Sequence, residues 1–146
     1  MTKTIFTLSI FLIASLSLFS QTEVTEMDDN PFEYSHDKSG LFYIVIPMDQ
    51  TILDDNKVAI KNLIDKKGLL TIRVSTFKIK DIKGADFSYL IVRKFDDEDG
   101  AIAFVDAIKN DDGLNKFDPL IFTQGNYRKF LKKKDLAEYL VFLSHQ

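Results

Sequence analysis

Residues 41–47 read LFYIVIP, an uninterrupted apolar run that is rich in aromatic and β-branched side chains and contains a proline at its end. A run of this length and composition is typical of a central strand that is covered on both faces. The segments that follow carry helix and strand signals in turn, so this strand is expected to lie inside a mixed α and β domain.

A helix is predicted after this strand. Asp54 and Asp55 offer N-cap side chains, because a carboxylate at that position accepts a hydrogen bond from a free N–H of the first turn. Apolar side chains then recur near one side of the predicted helix as far as about Lys67. Gly68 follows as the expected C-cap, since glycine readily adopts the left-handed conformation that commonly ends a helix.

An antiparallel hairpin is predicted next. Residues 69–80 alternate in apolar character but change parity half-way, and this change predicts a β-bulge near Ser75 and Thr76. Residues 83–86 have the sequence KGAD, which is turn chemistry, and residues 87–95 read as the returning strand.

The acidic run DDEDG at residues 96–100 precedes a second helix, whose apolar side chains recur at helical spacing: Ala101, Phe104, Val105 and Ile108. Residues 119–123, with the sequence PLIFT, read as a fourth short strand. The order of elements is therefore βαββαβ. That order predicts an α+β fold of the ferredoxin-like type, in which two helices cover one face of a four-stranded antiparallel sheet.

The chain continues into a third helical element, from Asn126 to about Leu143, with a break near Lys134 and Asp135. One apolar stripe marks its inner side: Leu136, Tyr139, Leu140 and Leu143. Because several predicted strands are apolar on both parities, the second face of the sheet should be covered as well. We expect this extra C-terminal helix, or a partner, to cover part of it.

The N-terminus has the pattern of a secretory signal peptide. Lys3 precedes an uncharged apolar run over residues 4–19, which is shorter than the roughly 20 residues that span a bilayer comfortably. We predict a signal peptide over residues 1–20 with cleavage after Ser20; an uncleaved membrane anchor is the alternative. Export without cysteine fits a bacterial periplasm, where a core of this size needs no disulfide.

The composition changes after the signal. Residues 21–39 are predominantly acidic and show no sustained periodicity, so we predict a flexible, solvated leader that precedes a single domain over residues 40–146. Phe32 and Tyr34 are the leader residues with a capacity to dock locally. His36 is expected to be exposed, with metal binding as the remote alternative.

Charge and cysteine content exclude several functions. The 146 residues include 19 basic and 22 acidic side chains, for a net charge of -3, which argues against a protein that binds nucleic acid mainly through phosphate contacts. The sequence has no cysteine, so thiolate metal ligands, disulfides, a cysteine nucleophile and a lipid-anchored cysteine are all excluded.

Two charged runs suggest sites, each with a simpler interpretation. In a calcium loop with Gly100 at the sixth position, Phe95 would occupy the first ligand position, where it cannot coordinate. The acids at residues 96–100 are therefore expected to cap the second helix. The tail carries a basic run that reads as a solvated helix face, with anionic lipid or an acidic partner as the alternative: Arg128, Lys129, Lys132, Lys133 and Lys134.

Catalysis has little support. The two histidines, His36 and His145, lie in the leader and one residue from the end of the sequence, where a preorganised general base is not expected. No nucleophile elbow, zinc-binding helix motif or phosphate loop is present. We predict a protein without enzymatic activity, cofactor or metal.

The domain from Leu41 onwards resembles the C-terminal domain of tetratricopeptide-repeat envelope proteins of Bacteroidota that are linked to gliding motility and type IX secretion. The features that carry the resemblance are the opening strand FYIVIP, the helix AIAFVDAIKN and the segment IFTQGNYRKFLKKKDLAEYLVFL. The family pattern places particular side chains at Asn126, Tyr127, Phe130, Lys134, Asp135 and Tyr139. This chain departs from the family in having neither a repeat region nor an anchor cysteine.

The resemblance implies a non-enzymatic envelope protein that binds something, within a secretion or gliding apparatus. We predict a protein-interaction module, with an open strand edge or an uncovered part of the sheet as its docking surface. The alternative is a ferredoxin-like module that binds peptidoglycan or another glycan. The predicted interaction residues are Asn126, Tyr127, Phe130, Lys134 and Tyr139, and we expect Asn126 to cap the last helical element.

Overall fold

The computed structural model describes residues 33–80 and 86–145. The predicted signal peptide over residues 1–20 and its cleavage site after Ser20 lie outside the described residues. So do the leader from residue 21 to residue 32 and most of the predicted KGAD turn.

The sheet has four strands, β1 Phe42–Met48, β2 Arg73–Lys80, β3 Asp86–Phe95 and β4 Leu120–Thr123. Their order across the sheet is β2-β3-β1-β4, and every neighbouring pair is antiparallel. The central positions therefore belong to β1 and β3, whose sequences are the most continuously apolar, and β2 and β4 form the edges.

In the described ranges, four helices pack on this sheet: α1 Leu53–Lys66, α2 Glu98–Lys109, α3 Gln124–Lys133 and α4 Leu136–Leu143. A single 3-10 turn, Gln50–Ile52, precedes α1. The architecture confirms the predicted α+β fold of ferredoxin-like type with an extra helical segment at the C-terminal end. In the part of the chain that the structure describes, no helix is both long and apolar enough to cross a membrane.

The first face of the sheet packs against α1 and α2. Its buried side chains include Ile44 and Leu90 from the central strands, Ile60 from α1, and Phe104 and Ile108 from α2. Burying a side chain of this kind contributes about 1.5–3 kcal/mol relative to leaving it in water, so this layer is a major source of stability.

The second face packs against α3, α4 and a short segment that precedes β1. Its buried core is largely aromatic and contains Tyr34, Val45, Ile79, Tyr89, Ile91, Phe122, Phe130, Tyr139 and Phe142. The prediction that the C-terminal helical segment covers the second face is confirmed. The stripe predicted for that segment is partly wrong, because Leu140 is 46% exposed and Phe142 is buried in its place.

The predicted bulge at Ser75 and Thr76 is wrong. The pairing of β2 with β3 runs without a register shift along the whole strand. The apolar parity changes because Val74 packs against the first core and Ile79 against the second, so each half of the strand serves a different face. The strand also begins at Arg73 rather than at residue 69.

The irregularity in the sheet lies elsewhere. Phe42 pairs with Phe95 whereas Tyr43 pairs with Arg93, so Lys94 is the extra residue between them. Lys94 has a φ of 76°, a left-handed conformation that is characteristic of a residue at a bulge.

The N-cap prediction for α1 is also wrong. The carboxylate of Asp49 accepts a hydrogen bond from the Thr51 N–H at 2.7 Å and caps the 3-10 turn. Hydrogen bonding to Thr51 lowers the pKa of Asp49. The chain then enters α1 with no side-chain cap, and Asp54 and Asp55 lie within its first turn, where their charges complement the helix dipole.

The acidic run before α2 behaves as a cap. Asp97 Oδ1 accepts a hydrogen bond from the Gly100 N–H at 2.7 Å, and Glu98 and Asp99 lie in the first turn of the helix. This arrangement confirms the capping interpretation of residues 96–100.

Candidate functional site

The five predicted interaction residues separate into an internal set and a surface set. Asn126, Phe130 and Tyr139 are at most 3% exposed. Tyr127 is half-buried, and Lys134 is exposed in a left-handed conformation with a φ of 57° between α3 and α4. The family-like motif therefore consists mainly of residues that shape the domain, with two that reach its surface.

Asn126 holds the chain segment that precedes β1. Its side-chain oxygen accepts a hydrogen bond from the Ser35 N–H, and its side-chain nitrogen donates one to the Ser35 carbonyl, both at 2.9 Å. The predicted capping role of Asn126 is wrong, because the Thr123 side chain caps α3 by accepting from the Asn126 N–H. Asn126 instead joins two parts of the chain that are distant in sequence.

Residues 33–39 form an N-terminal strap, which Tyr34 anchors in the second layer as its predicted capacity to dock locally allows, while residues 36–39 are exposed. Tyr34 is 1% exposed, and its hydroxyl lies 3.4 Å from the Asp135 carbonyl oxygen, to which it donates. Lys129 donates to the Glu33 carbonyl. Part of the basic run of α3 thus contacts the strap, an interaction that the solvated-face interpretation did not include.

Lys133 belongs to the same network. Its ammonium group lies 2.6 Å from a carboxylate oxygen of Glu138 on α4 and 3.5 Å from one of Glu33. The hydrogen bond with Glu138 raises the pKa of Lys133. This exposed network connects the strap, α3 and α4.

Tyr139 connects α4 to the edge strand β4. Its ring stacks on the Phe122 ring with centroids 3.7 Å apart, and its hydroxyl donates to the Ile121 carbonyl at 2.7 Å. Burial raises the pKa of Tyr139, and the nearby Tyr34 raises it further. The hydroxyl therefore stays protonated at neutral pH and remains a hydrogen-bond donor.

Tyr127 forms a surface pair with Tyr43. Their rings stack with centroids 4.4 Å apart and planes 10° apart, so each ring covers one face of the other. Burial raises the pKa of Tyr127, and the positive charge of Arg93 opposes that rise. The pair joins α3 to β1.

A groove of about 320 Å³ follows the outer edge of β4, a volume within the range of roughly 300–1,000 Å³ that is usual for ligand sites. Its lining comes from both faces of the sheet, with Val105 from α2 on one side and Tyr139 and Leu143 from α4 on the other. Only a cavity that passes around a sheet edge is lined in this way. The strap adds Ser35 and His36 beside Asn126. We call this cavity the β4 groove.

Exposed apolar side chains also occur on the two helices beside the β4 groove. Ile102 is 43% exposed and lies three residues before the groove-lining Val105 on α2, and Leu140 is 46% exposed and lies three residues before the groove-lining Leu143 on α4. The lining itself is mixed, because Glu98 of α2 lines the groove together with Val105.

Sequence reasoning missed the β4 groove, although it placed Asn126 and Tyr139, which line it, among the interaction residues. The groove depends on the strap, whose position follows from contacts with residues 91 to 101 positions later in the chain. One sequence signal was available on α2, where Ile102 is apolar on a side that a simple amphipathic helix would leave polar.

The described residues contain no group of three or more histidine, aspartate and glutamate side chains that could hold a metal ion. His36 is exposed, and its ring lies 4.9 Å from the Phe142 ring. The β4 groove offers apolar surface beside polar side chains, which include the ion pair of Lys38 and Glu98.

No family model, curated protein or solved structure matches this chain. The resemblance to the C-terminal domains of Bacteroidota envelope proteins therefore stays a prediction from the motif.

Proposed function

We propose that this protein is a non-enzymatic, exported domain of the bacterial envelope that acts by binding another protein. The observation that carries the proposal is the β4 groove, a cleft with mixed apolar and polar lining beside an edge strand. The signal-like sequence of residues 1–20 supports export, and the resemblance in the C-terminal motif supports an envelope partner within a secretion or gliding apparatus.

Both faces of the sheet are covered by the chain's own elements, so the edges are where a partner could pair with the sheet. At the β2 edge, Lys78 and Lys80 are exposed, and lysine on an edge strand is a common means of preventing another chain from pairing there. Leu120, Ile121 and Phe122, which make up most of β4, carry no charge. The β4 edge is thus the one of the two that favours an added chain.

The residues predicted for interaction have supporting roles in this proposal. Asn126 fixes the strap that borders the β4 groove, and Tyr139 fixes the backbone of Ile121 at its floor. Phe130 holds α3 on the sheet from inside the second core. Two further candidates for partner contact are Tyr127, half-buried against Tyr43, and the exposed Lys134 between α3 and α4.

Site-specific photocrosslinking in living cells tests this function. A photoreactive phenylalanine analogue replaces Leu140, which lies three residues before the groove-lining Leu143 on α4, or Val141, which is equally exposed at 46% and lies about 100° further round the same helix. We expect Leu140 to give a discrete protein adduct that Val141 does not give. The same pattern at both positions, or cosedimentation of the protein with purified sacculi and no protein adduct, would replace this function with glycan binding or with none.

Export has its own measurement. Cell fractionation followed by mass spectrometry should find the chain in the periplasmic fraction with residues 1–20 removed. A full-length chain in the cytosolic fraction would contradict the exported location and leave the crosslinking result to be judged separately.

A further inference from the structure

We propose that a surface beside α3, formed by Arg73 and Arg93 on the sheet and by the stacked Tyr43 and Tyr127, binds a short acidic segment of a protein through its carboxylates. We call it the arginine surface. It lies at the end of the second face where β2 begins, and the strap contacts a different side of α3. The inference therefore goes beyond the proposed function and does not depend on the β4 groove.

Pairing within the sheet brings the two arginines together. Arg93 on β3 is opposite Arg73 on β2 and opposite Tyr43 on β1. Directly opposed residues of antiparallel strands point to the same face, with Cβ atoms about 4.5–5.5 Å apart. That face is the second one, because Val45 and Ile91, each two residues away along its strand, are buried in the second core. The two arginines and Tyr43 thus form one row across the sheet.

The positive charges of this row are not neutralised within the part of the chain that the structure describes. Both arginines are exposed, and neither forms an ion pair with a described residue. Arg73 Nη1 donates to the carbonyls of Leu70 and Ile72, which fixes one side of its guanidinium group. Like charges that are directly opposite each other destabilise a sheet, so a carboxylate bound between the two arginines would remove an existing repulsion.

The tyrosine stack borders these charges. The rings of Tyr43 and Tyr127 lie with their centroids 4.4 Å apart, and Arg93 is near enough for its charge to act on the Tyr127 hydroxyl. A protonated phenol can donate a hydrogen bond to an anion. Arg128 follows Tyr127 on α3 and is exposed, which adds a third cation at the border of the surface.

The chemistry of the cations indicates a planar anion on a short segment. A guanidinium group presents its donors in a fixed fork that matches the two oxygens of a carboxylate, whereas a lysine ammonium is a point charge. The whole chain carries a net charge of -3, so a long polyanion such as a nucleic acid would also meet acidic surface. A segment with a few aspartate or glutamate residues needs cations only locally.

The position of the arginines favours a peptide over a membrane. The rings of Tyr127 and Phe130 hold α3 on the same face of the sheet, and a helix with its side chains is about 10–12 Å across. A flat bilayer that rests on α3 would be held away from Arg73 and Arg93, which belong to the sheet below. An extended peptide is narrow enough to lie on the sheet beside the helix.

A pair of labelled peptides tests the inference on the full chain by fluorescence anisotropy. The probe is GSEDYEDGS, and the control GSQNYQNGS replaces each carboxylate with an amide of the same shape. We expect the control to bind at least about tenfold more weakly, and we expect added salt to weaken binding of the probe. Cosedimentation with phosphatidylglycerol vesicles measures the membrane alternative.

Variants of the chain locate the binding. Arg93→Gln should weaken probe binding about tenfold, and Arg93→Lys, which keeps the charge but not the fork, should weaken it about threefold. Lys61→Gln removes an exposed charge from α1, on the opposite face of the sheet, and should leave binding unchanged. Chemical denaturation should show that all three variants remain folded, because the Arg93 side chain has no hydrogen bond or ion pair with a described residue.

Three results would overturn the inference. The first is equal binding of the two peptides, and the second is equal weakening by Arg93→Gln and Lys61→Gln, which would show an effect of net charge alone. The third is vesicle binding that Arg93→Gln abolishes, without binding of the probe. Any of these results together with a crosslink at Leu140 in cells would leave the proposed function intact.

Discussion

The side-chain amide of Asn126 bonds to the backbone of Ser35 in the manner of a neighbouring strand, with one hydrogen bond accepted from the Ser35 N–H and one donated to its carbonyl, both at 2.9 Å. Asparagine is the side chain that supplies both an acceptor and a donor at this reach. The pair connects the beginning of the described chain to α3 and so fixes the strap beside the β4 groove.

Replacing Asn126 should release the strap. In Asn126→Asp the carboxylate still accepts from Ser35 but cannot donate to its carbonyl, so we expect a loss of about 1–3 kcal/mol in the free energy of unfolding. Hydrogen exchange should increase at residues 33–39, and Asn62→Ala on the exposed side of α1 should change neither quantity. Unchanged exchange in the strap would show that Asn126 does not hold it.

Phe130 should be the most costly aromatic side chain of α3 to remove. It is 0% exposed and packs with Phe122 and Tyr89, so Phe130→Ala should lower the free energy of unfolding by about 3–5 kcal/mol. Phe87→Ala removes the same atoms from a site that is 45% exposed and should lower it far less. Chemical denaturation measures both, and equal losses would contradict the assignment of Phe130 to the second core.

Alkaline pH should destabilise the second layer. Burial raises the pKa values of Tyr34 and Tyr139 above their usual value of about 10. The folded state therefore retains protons that the unfolded state releases, so this contribution is complete below pH 10 and is lost as the pH rises through the folded-state pKa values.

Denaturant titrations between pH 8 and pH 11 measure this decline. The double variant Tyr34→Phe, Tyr139→Phe should show a shallower decline above pH 10 than the natural chain. An identical slope in the two proteins would exclude these hydroxyls as its source.

Substitution by glycine should be better tolerated at Lys134 than at neighbouring positions of α3. It has a φ of 57°, and an L-residue other than glycine pays about 1–2 kcal/mol for this left-handed conformation. We expect Lys134→Gly to raise the free energy of unfolding by up to about 1 kcal/mol. Lys132→Gly, the same substitution in the last turn of α3, should lower it by up to about 1 kcal/mol. A loss of similar size at both positions would contradict this expectation.

The strands and α2 were predictable because their signals are local. The apolar run at residues 41–47 gave β1, observed over Phe42–Met48, and the acids at residues 96–100 gave the capped start of α2. The change of apolar parity in β2 was wrongly interpreted as a bulge. A strand whose two halves pack against opposite faces of the sheet produces the same sequence pattern.

The candidate site was less predictable because it depends on contacts between distant parts of the chain. Nothing near Ser35 in the sequence indicates a partner 91 residues later, and Asn126 next to a strand end reads equally well as a helix cap. The motif identified the helical segment that borders the groove. The groove itself was not predictable from the sequence, because it depends on the relative positions of the strap, α2 and α4.

The second layer has a consequence for the order of folding. It is assembled from the strap and from α3 and α4, which lie at opposite ends of the described chain. A partly folded chain in which only β1, β2 and β3 have paired still lacks the side chains that cover Val45 and Ile91. This apolar surface stays exposed until α3 and α4 pack on it, so contacts between residues far apart in sequence must form before the domain reaches its native state.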